Sequence, residues 1–325
     1  MAGSGVAIGY HASHEQFPPG ALLHLAQRAE KAGFRSMLSS DHFNPWTPAQ
    51  GESGFAWSWL GAAMHATEKM PFGIITAPGY RYHPAVVAHA AATLAVMFPG
   101  RFWVSIGRGE LLNEGIIGER WPGRGERNDR LLQCAGVMRD LWAGETVTRD
   151  GAVRVERARL YTCPPEPPLL LAAANACSTA EWVGGWADGL ITLAKPLCRL
   201  AEIIDLFRRG GGEGKPICLK LDVAYGRDDE EALSGAHDQW RNMMVGGGLI
   251  TEVRTPGEFD AMGEFVRDED LQEKNLISAD LDRHIEQLQE FLDLGIDRIY
   301  LHNVTKDQTA FIEDFGREVL PAVAR

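Results

Sequence analysis

Val6-Ala7-Ile8-Gly9-Tyr10, the helical run over 22–33 and the short stretch 36–40 decide how this chain folds. An apolar run with β-branched residues reads as a strand, and apolar positions three and four apart read as a helix. Gly33 stands where a left-handed C-cap glycine belongs. A second strand directly after that cap makes a βαβ unit, with parallel strands and a right-handed crossover.

The same alternation runs to the end of the chain. A helix is predicted over 55–68, a strand over 72–76, an alanine-rich helix over 85–97 and a strand over 102–106. A helix over about 128–142 stops at Gly144. An insertion over about 146–162 reads as a β-hairpin with Asp150-Gly151 at its turn. Strands follow at 169–173, 189–193, 217–225 and 298–302, with helices over 281–294 and about 308–323. A polar loop and helical insertion over about 228–275 reads as an elaboration of one βα loop, not a second domain. Eight such strands close naturally into a single (β/α)8 TIM barrel, an α/β fold spanning residues 1–325. A doubly wound open sheet is the competitor, weakened because no phosphate-binding glycine fingerprint follows the first strand.

Composition narrows the function. Charged residues make up 23% and hydrophobic residues 45%, as in an ordinary globular enzyme. The formal net charge of −12 argues against nucleic acid, since a polyanion requires surplus Lys and Arg. No apolar run is long enough to span a bilayer, and the amino terminus shows no basic and apolar leader pattern, so a cytoplasmic location is expected. The five cysteines are odd in number and scattered, with no CxxC pair, which reads as reduced thiols and no metal site. Gly210-Gly211-Gly212-Glu213-Gly214-Lys215-Pro216 lacks the spacing and hydroxyl of a phosphate loop and reads as a helix-to-strand turn. Gly107-x-Gly109 lacks a third glycine and follows the fourth strand, and His11 and His14 lack the spacing of a barrel hydrolase's metal pair.

A barrel places chemistry where strands end and βα loops begin. Strand two runs into Asp41-His42 and strand four into Gly107-Arg108-Gly109-Glu110. Strand five runs into Asn175-Ala176-Cys177-Ser178-Thr179, strand six into Lys195, and strand eight ends at His302-Asn303. Any one of these has a plain alternative, capping a helix or bracing a loop. Together they define one polar pocket.

Ser40-Asp41-His42-Phe43-Asn44-Pro45-Trp46 and Gly109-Glu110-Leu111-Leu112-Asn113-Glu114 carry a resemblance, joined by 9–17, Arg81-Tyr82-His83-Pro84-Ala85-Val86 and Trp186-Ala187-Asp188-Gly189. The chain resembles the bacterial luciferase-like superfamily of flavin-type oxidoreductases, in particular the F420-dependent glucose-6-phosphate dehydrogenases. It is equally similar to a group of probable non-F420 flavinoid oxidoreductases, notably across 54–61. The resemblance implies that His42 serves the substrate's reacting carbon as a base or by polarising a hydroxyl, work suited to imidazole near neutral pH. It implies that Glu110 lies near N1 of the cofactor ring, where a carboxyl kept neutral by desolvation can donate. It implies that Trp46 lines the substrate pocket; plain core packing is its alternative. Asp41, Ile74, Ile75, Thr76, Gly109 and Asn113 are implied around the cofactor, with a non-proline cis peptide at Ile74–Ile75. The cofactor phosphate is implied on the turn Ala174, Asn175, Cys177, Ser178 and Thr179, where free backbone N–H groups attract anions. Glu15, Trp57 and Lys195 are the implied substrate contacts.

Two departures bear on the ligands. The phosphate turn reads Ala174-Asn175-Ala176, one residue longer than the relatives' glycine pair, and Arg108 replaces a small hydroxyl residue, so F420 and FMN both stay open as cofactors. Of the relatives' two lysines and one arginine for sugar phosphate, only Lys195 has a counterpart; the arginine position reads Asn275. With that clamp incomplete, glucose 6-phosphate is not the expected substrate, and Phe55, Trp57 and Trp59 suggest something less charged. The function expected is hydride transfer between F420 or FMN and a small-molecule substrate. The alternatives are a two-component FMN-dependent monooxygenase, supplied by a flavin or F420 reductase partner, and a non-catalytic flavin-binding protein, against which His42 and Glu110 speak. A homodimer through the early helices is implied by the family, although the alanine-rich face of 85–95 would equally suit packing on the chain's own sheet.

Overall fold

A computed structural model of the protein describes residues 7–244, 248–274 and 276–323, with Lys274 described for its backbone alone. Val6, expected in the first strand, and Asn275 lie outside the described residues. Eight strands form the barrel: β1 (Ala7–Ala12), β2 (Met37–Ser40), β3 (Phe72–Thr76), β4 (Phe102–Ile106), β5 (Leu169–Ala173), β6 (Gly189–Leu193), β7 (Ile217–Ala224) and β8 (Arg298–Asn303). Every neighbouring pair is parallel, from β1–β2 round to β6–β7, and β8 pairs with both β7 and β1. The sheet is closed.

Helix ends follow local chemistry. The first helix begins at Pro19, earlier than the apolar pattern indicates, because proline at the first position has no N–H to leave unpaired and a φ already set for helix. Gly33 ends it at φ 104°, donating its N–H back to the last turn. The helix expected from about residue 128 starts at Arg124, its first turn being polar and thus silent in apolar periodicity. The hairpin is present as Val147–Arg149 against Val155–Ala158.

Inward-facing side chains recur every second residue along each strand. Trp103 of β4 and Tyr300 of β8 fill the barrel floor with rings 5.9 Å apart, alongside Leu38, Leu171, Ile191 and Cys218. Two glycines make room. A Cβ on Gly73 would lie 2.0 Å from the Trp103 ring, and one on Gly9 2.5 Å from the Tyr300 ring.

The insertion is more ordered than its polarity indicates. It holds helices Asp229–Trp240, Pro256–Gly263 and Asp268–Lys274, and ends in a two-residue strand, Leu276–Ile277, parallel to β7. Trp240, Phe259 and Leu271 form an apolar cluster with Trp46 and Leu112, which seats the insertion on the barrel mouth.

The cis peptide expected at Ile74–Ile75 is corrected: among the described residues every peptide bond is trans. Ile74 and Ile75 pair in unbroken register with Ser39 and Ser40 on one side and Val104 and Ser105 on the other.

The floor makes a direct prediction. Gly73→Ala should destabilise the protein by about 1–3 kcal/mol through overpacking, and pairing it with Trp103→Leu should recover part of that loss. Urea unfolding that finds Gly73→Ala as stable as the parent would refute this account of the floor.

Candidate active site

Parallel strands bring their carboxyl ends to one mouth, and three βα loops meet there. Glu15 follows β1, His42 follows β2 and Glu110 follows β4. His42 Nδ1 lies 2.9 Å from Glu15 Oε1, and His42 Nε2 lies 3.8 Å from Glu110 Oε2. The hydroxyls of Ser40 and Ser13 donate to Glu15 at 2.7 and 2.9 Å, fixing its carboxylate. The imidazole therefore stands between two carboxyl groups.

Their electrostatics differ. Burial alone would lower the basicity of His42, but Glu15, and more weakly Glu110, outweigh it and raise its pKa. Glu15 is buried, which opposes ionisation, yet His42 and the Ser40 hydroxyl hold it well below the usual carboxylate range. Glu110 moves the other way: desolvation raises its pKa against the pull of His42 and Asn113. One carboxyl is thus kept charged and the other is biased towards neutral.

Asn113 ties the loops together. Its Oδ1 accepts from the backbone N–H groups of Phe43 and Asn44 at 2.9 and 3.2 Å, and its Nδ2 donates to Glu110 at 3.3 Å. Gly109, at φ 77°, makes the turn that presents Glu110; a Cβ there would also come within 2.8 Å of Glu114. Trp46 packs edge-on against His42, ring centroids 4.8 Å apart, and its far side meets Phe259 of the insertion. Both readings of Trp46 hold at once: it touches the histidine and belongs to a packed cluster.

Asp41 faces the scaffold. Its carboxylate accepts from Thr76 Oγ1 at 2.7 Å, Trp57 Nε1 at 3.1 Å and the Tyr82 hydroxyl at 3.1 Å. Trp57, expected among the substrate contacts, is buried beside Phe102 with its polar edge spent on Asp41. Arg81, to which sequence reasoning gave no role, donates to the Asp41 carbonyl at 2.6 Å. It lies 3.7 Å from Glu114, whose carboxyl burial pushes up to about 7 despite that guanidinium.

A second polar group fills the barrel below the mouth, joining His302, expected in the polar pocket, to Lys220 and Asp222, which were not foreseen. His302 Nδ1 is 2.8 Å from Asp222, Lys220 pairs with the same carboxylate, and His302 Nε2 is 2.8 Å from Gln16 Oε1. The signal was present: Lys220 and Asp222 stand two apart in an otherwise apolar strand, which puts both on one face.

Past the neighbouring strand, the helix Cys177–Gly184 opens after β5 with Ala174 buried. Arg124 donates to Thr179 Oγ1 at 2.9 Å and to Ser178 Oγ at 3.4 Å. Asn175 Oδ1 accepts from the N–H of Leu193 at 3.0 Å, tying this turn to β6. Lys195 is half-buried just past β6, its pKa lowered by that burial and by Arg199. Among the described residues no group of three or more His, Cys, Asp or Glu is placed to hold a metal, and no helix is long and apolar enough to cross a membrane.

A carboxylate-backed histidine, a second carboxyl whose pKa burial raises and the start of the Cys177–Gly184 helix are set around the mouth of one (β/α)8 barrel. The chain matches the luciferase-like monooxygenase family over residues 4–298; it belongs to that family and is an oxidoreductase. It is 34% identical to an F420-dependent glucose-6-phosphate dehydrogenase of Beutenbergia cavernae, covering 97% of this chain and 96% of that protein. A solved structure of an F420-dependent secondary alcohol dehydrogenase in complex with an F420-acetone adduct is 32% identical, with a TM-score of 0.92 over 98% of this chain and 99% of that one. The F420-dependent tetrahydromethanopterin reductase of Methanopyrus kandleri, 20% identical with a TM-score of 0.80, covers 98% of this chain and 99% of its own, and shares the fold.

Glu15 is the group that raises His42, so Glu15→Gln should lower the His42 titration midpoint. The imidazole signals followed by NMR across pH 5–9 would report it; an unmoved midpoint would mean that Glu15 does not govern the charge of His42.

Proposed function

We propose that the protein is an F420-dependent dehydrogenase that exchanges hydride with a small uncharged alcohol or its ketone. The observation that carries this reading is His42 held between Glu15 at 2.9 Å and Glu110 at 3.8 Å. The likeness to the secondary alcohol dehydrogenase, near-complete in coverage and 32% in identity, supports the substrate class. The relatives named for glucose 6-phosphate match the chain as well in sequence, but Lys195 is the one residue of their phosphate clamp with a counterpart here.

The residues at the mouth suit a flavin-type cofactor. Hydroxyls of Ser178 and Thr179, the helix start and the Arg124 guanidinium match a phosphate ester, and a buried carboxyl of raised pKa matches a ring that changes protonation when reduced. When bound, F420 supplies a two-electron hydride acceptor. The chain's own groups handle the proton. Neutral His42 takes the alcohol's hydroxyl proton at Nε2 as the carbon gives up hydride, and Glu15 stabilises the resulting imidazolium through Nδ1. Glu15 is readied for this by Ser13 and Ser40, so the base is oriented before substrate arrives. Trp46 bounds the site against His42 and limits water beside the reacting oxygen. Glu110, its pKa raised by burial, is the carboxyl suited to holding a proton on the cofactor side. Since oxidation requires neutral His42, and the folded site raises its pKa, the rate of alcohol oxidation rises with pH through that raised value. A two-component monooxygenase using reduced FMN is the second reading, carried by the description of the family itself.

Reduction of F420 followed by absorbance with 2-propanol and with glucose 6-phosphate tests the proposal. Turnover of the alcohol is expected, with little or none for the sugar phosphate. His42→Ala should lower kcat by about 10²-fold or more while F420 affinity changes little. Faster turnover of glucose 6-phosphate would overturn the substrate assignment. Oxygen uptake with reduced FMN, and none of the F420 chemistry, would favour the monooxygenase.

A further inference from the structure

Against a net charge of −12, the mouth holds a concentration of arginines beside the Cys177–Gly184 helix start. Arg108 follows β4, two residues before Glu110, and is half-buried. Its recorded polar contact is a long one, Nη1 to Asn128 Oδ1 at 3.4 Å. Arg124 spends one nitrogen on the hydroxyls of Ser178 and Thr179. Among the described residues neither has a carboxylate within ion-pair distance. Arg127 is buried, stacks over Trp121 with its guanidinium 4.7 Å from the ring centroid, and pairs through Nη2 with Glu252 at 2.8 Å. Its Nε and Nη1, both buried, have no hydrogen-bond partner among the described residues.

Arg124 and Arg127 stand three apart on the helix whose Asn128 meets Arg108, so the three guanidiniums share one region and repel one another. Burial, then Arg124 and Arg127, depress the Arg108 pKa, the sign of cations gathered without enough counter-charge. Such an arrangement is costly unless anions complete it. A single phosphate monoester on a helix start is served by backbone N–H groups, two hydroxyls and one arginine. The cluster has cationic capacity beyond that. FMN ends at its phosphate, whereas F420 continues past a phosphodiester into γ-linked glutamates, each with a free carboxylate.

We propose that Arg108, with Arg124 shared between it and the phosphate position at Ser178 and Thr179, forms a subsite for the glutamate carboxylates of the F420 tail and thereby selects F420 over FMN. The proposal rests on the F420 reading above. Guanidiniums suit it because their planar fork pairs bidentately with carboxylates. It also accounts for the departure at position 108, where an arginine replaces the small residue expected from the resemblance. Arg127, anchored by Glu252 and Trp121, holds the positive field from behind.

Fluorescence titration of the whole protein separates the possibilities, with four probes: F420 bearing several glutamates, the form with phosphate but no glutamate, the free deazaflavin lacking phosphate, and FMN. The parent should bind the multi-glutamate form at least about tenfold more tightly than the glutamate-free form, with the difference shrinking as salt rises. The double variant Arg108→Gln/Arg124→Gln should bind these two forms alike, while its affinity for the free deazaflavin stays at the parent's level, which also reports an intact ring pocket. Equal affinity of the parent for both forms, or discrimination kept by the double variant, would overturn the subsite and leave the F420 reading standing. Binding of FMN with no binding of any deazaflavin would overturn both.

Discussion

Closure of the parallel sheet is the constraint on which everything else in this molecule depends. Once β8 pairs with both β7 and β1, eight strand ends must share one rim, and residues far apart in sequence become neighbours there. Closure has its own requirement, since the interior must be filled without gaps. Here the floor is filled by two large rings against two glycines: Trp103 occupies the space that a side chain at 73 would take, and Tyr300 the space at 9. The bulky residue and the empty position opposite it on the neighbouring strand, Gly73 beside Trp103 and Gly9 beside Tyr300, are one device.

Above that floor the interior turns polar, because inward positions continue every second residue towards the rim. Cys218, Lys220 and Asp222 on β7, with Tyr300 and His302 on β8, pass from apolar to charged within one or two steps. Burying these charges is expensive, and the arrangement survives because each is paired. Asp222 is held well below the usual carboxylate range chiefly by Lys220 and His302, against the pull of burial. His302 is in turn pushed down, first by burial and then by Lys220, which favours its neutral form. Its edge-on contacts with His11, centroids 4.8 Å apart, and Trp240, 4.7 Å apart, lock the ring. Gln16 links this layer to the loop that carries Glu15, so the position of the carboxylate beside His42 is set from below as well as from the side.

The repeated architecture was legible in the sequence because both periodicities are strong there. β5 and β6 have the bounds that their apolar runs indicate, and Gly33 caps where expected. The rim residues His42 and Glu110 were legible through position and resemblance together and Glu15 through resemblance alone, and the structure sets His42 2.9 Å from Glu15 and 3.8 Å from Glu110. What escaped was long-range pairing. Arg81 lies within a quoted motif, yet nothing local announces that it reaches Asp41 forty residues away. The insertion was legible as a loop and helical elaboration, but its seating escaped, because the few apolar residues that seat it, Trp240, Phe259 and Leu271, find their partners on Trp46 and Leu112 outside it. Trp57 was read by its proximity to the mouth, whereas a buried indole seeks a partner for its N–H and found one in Asp41.

Asp41 and His42 show how the scaffold and the chemistry divide adjacent residues. Leaving β2, the chain turns Asp41 inward to three donors from β3, the following loop and the next helix, and turns His42 outward to Glu15 and Glu110. A carboxylate with three hydrogen bonds and a nearby guanidinium has little freedom to move, and the next residue inherits that rigidity through its backbone. Asn113 clamps the backbone two residues further on. The histidine is therefore fixed on both sides by neighbours that take no part in proton transfer. Its two nitrogens can face two carboxyl groups of opposite tendency, one held charged and one biased to neutral, without a loop that must close first.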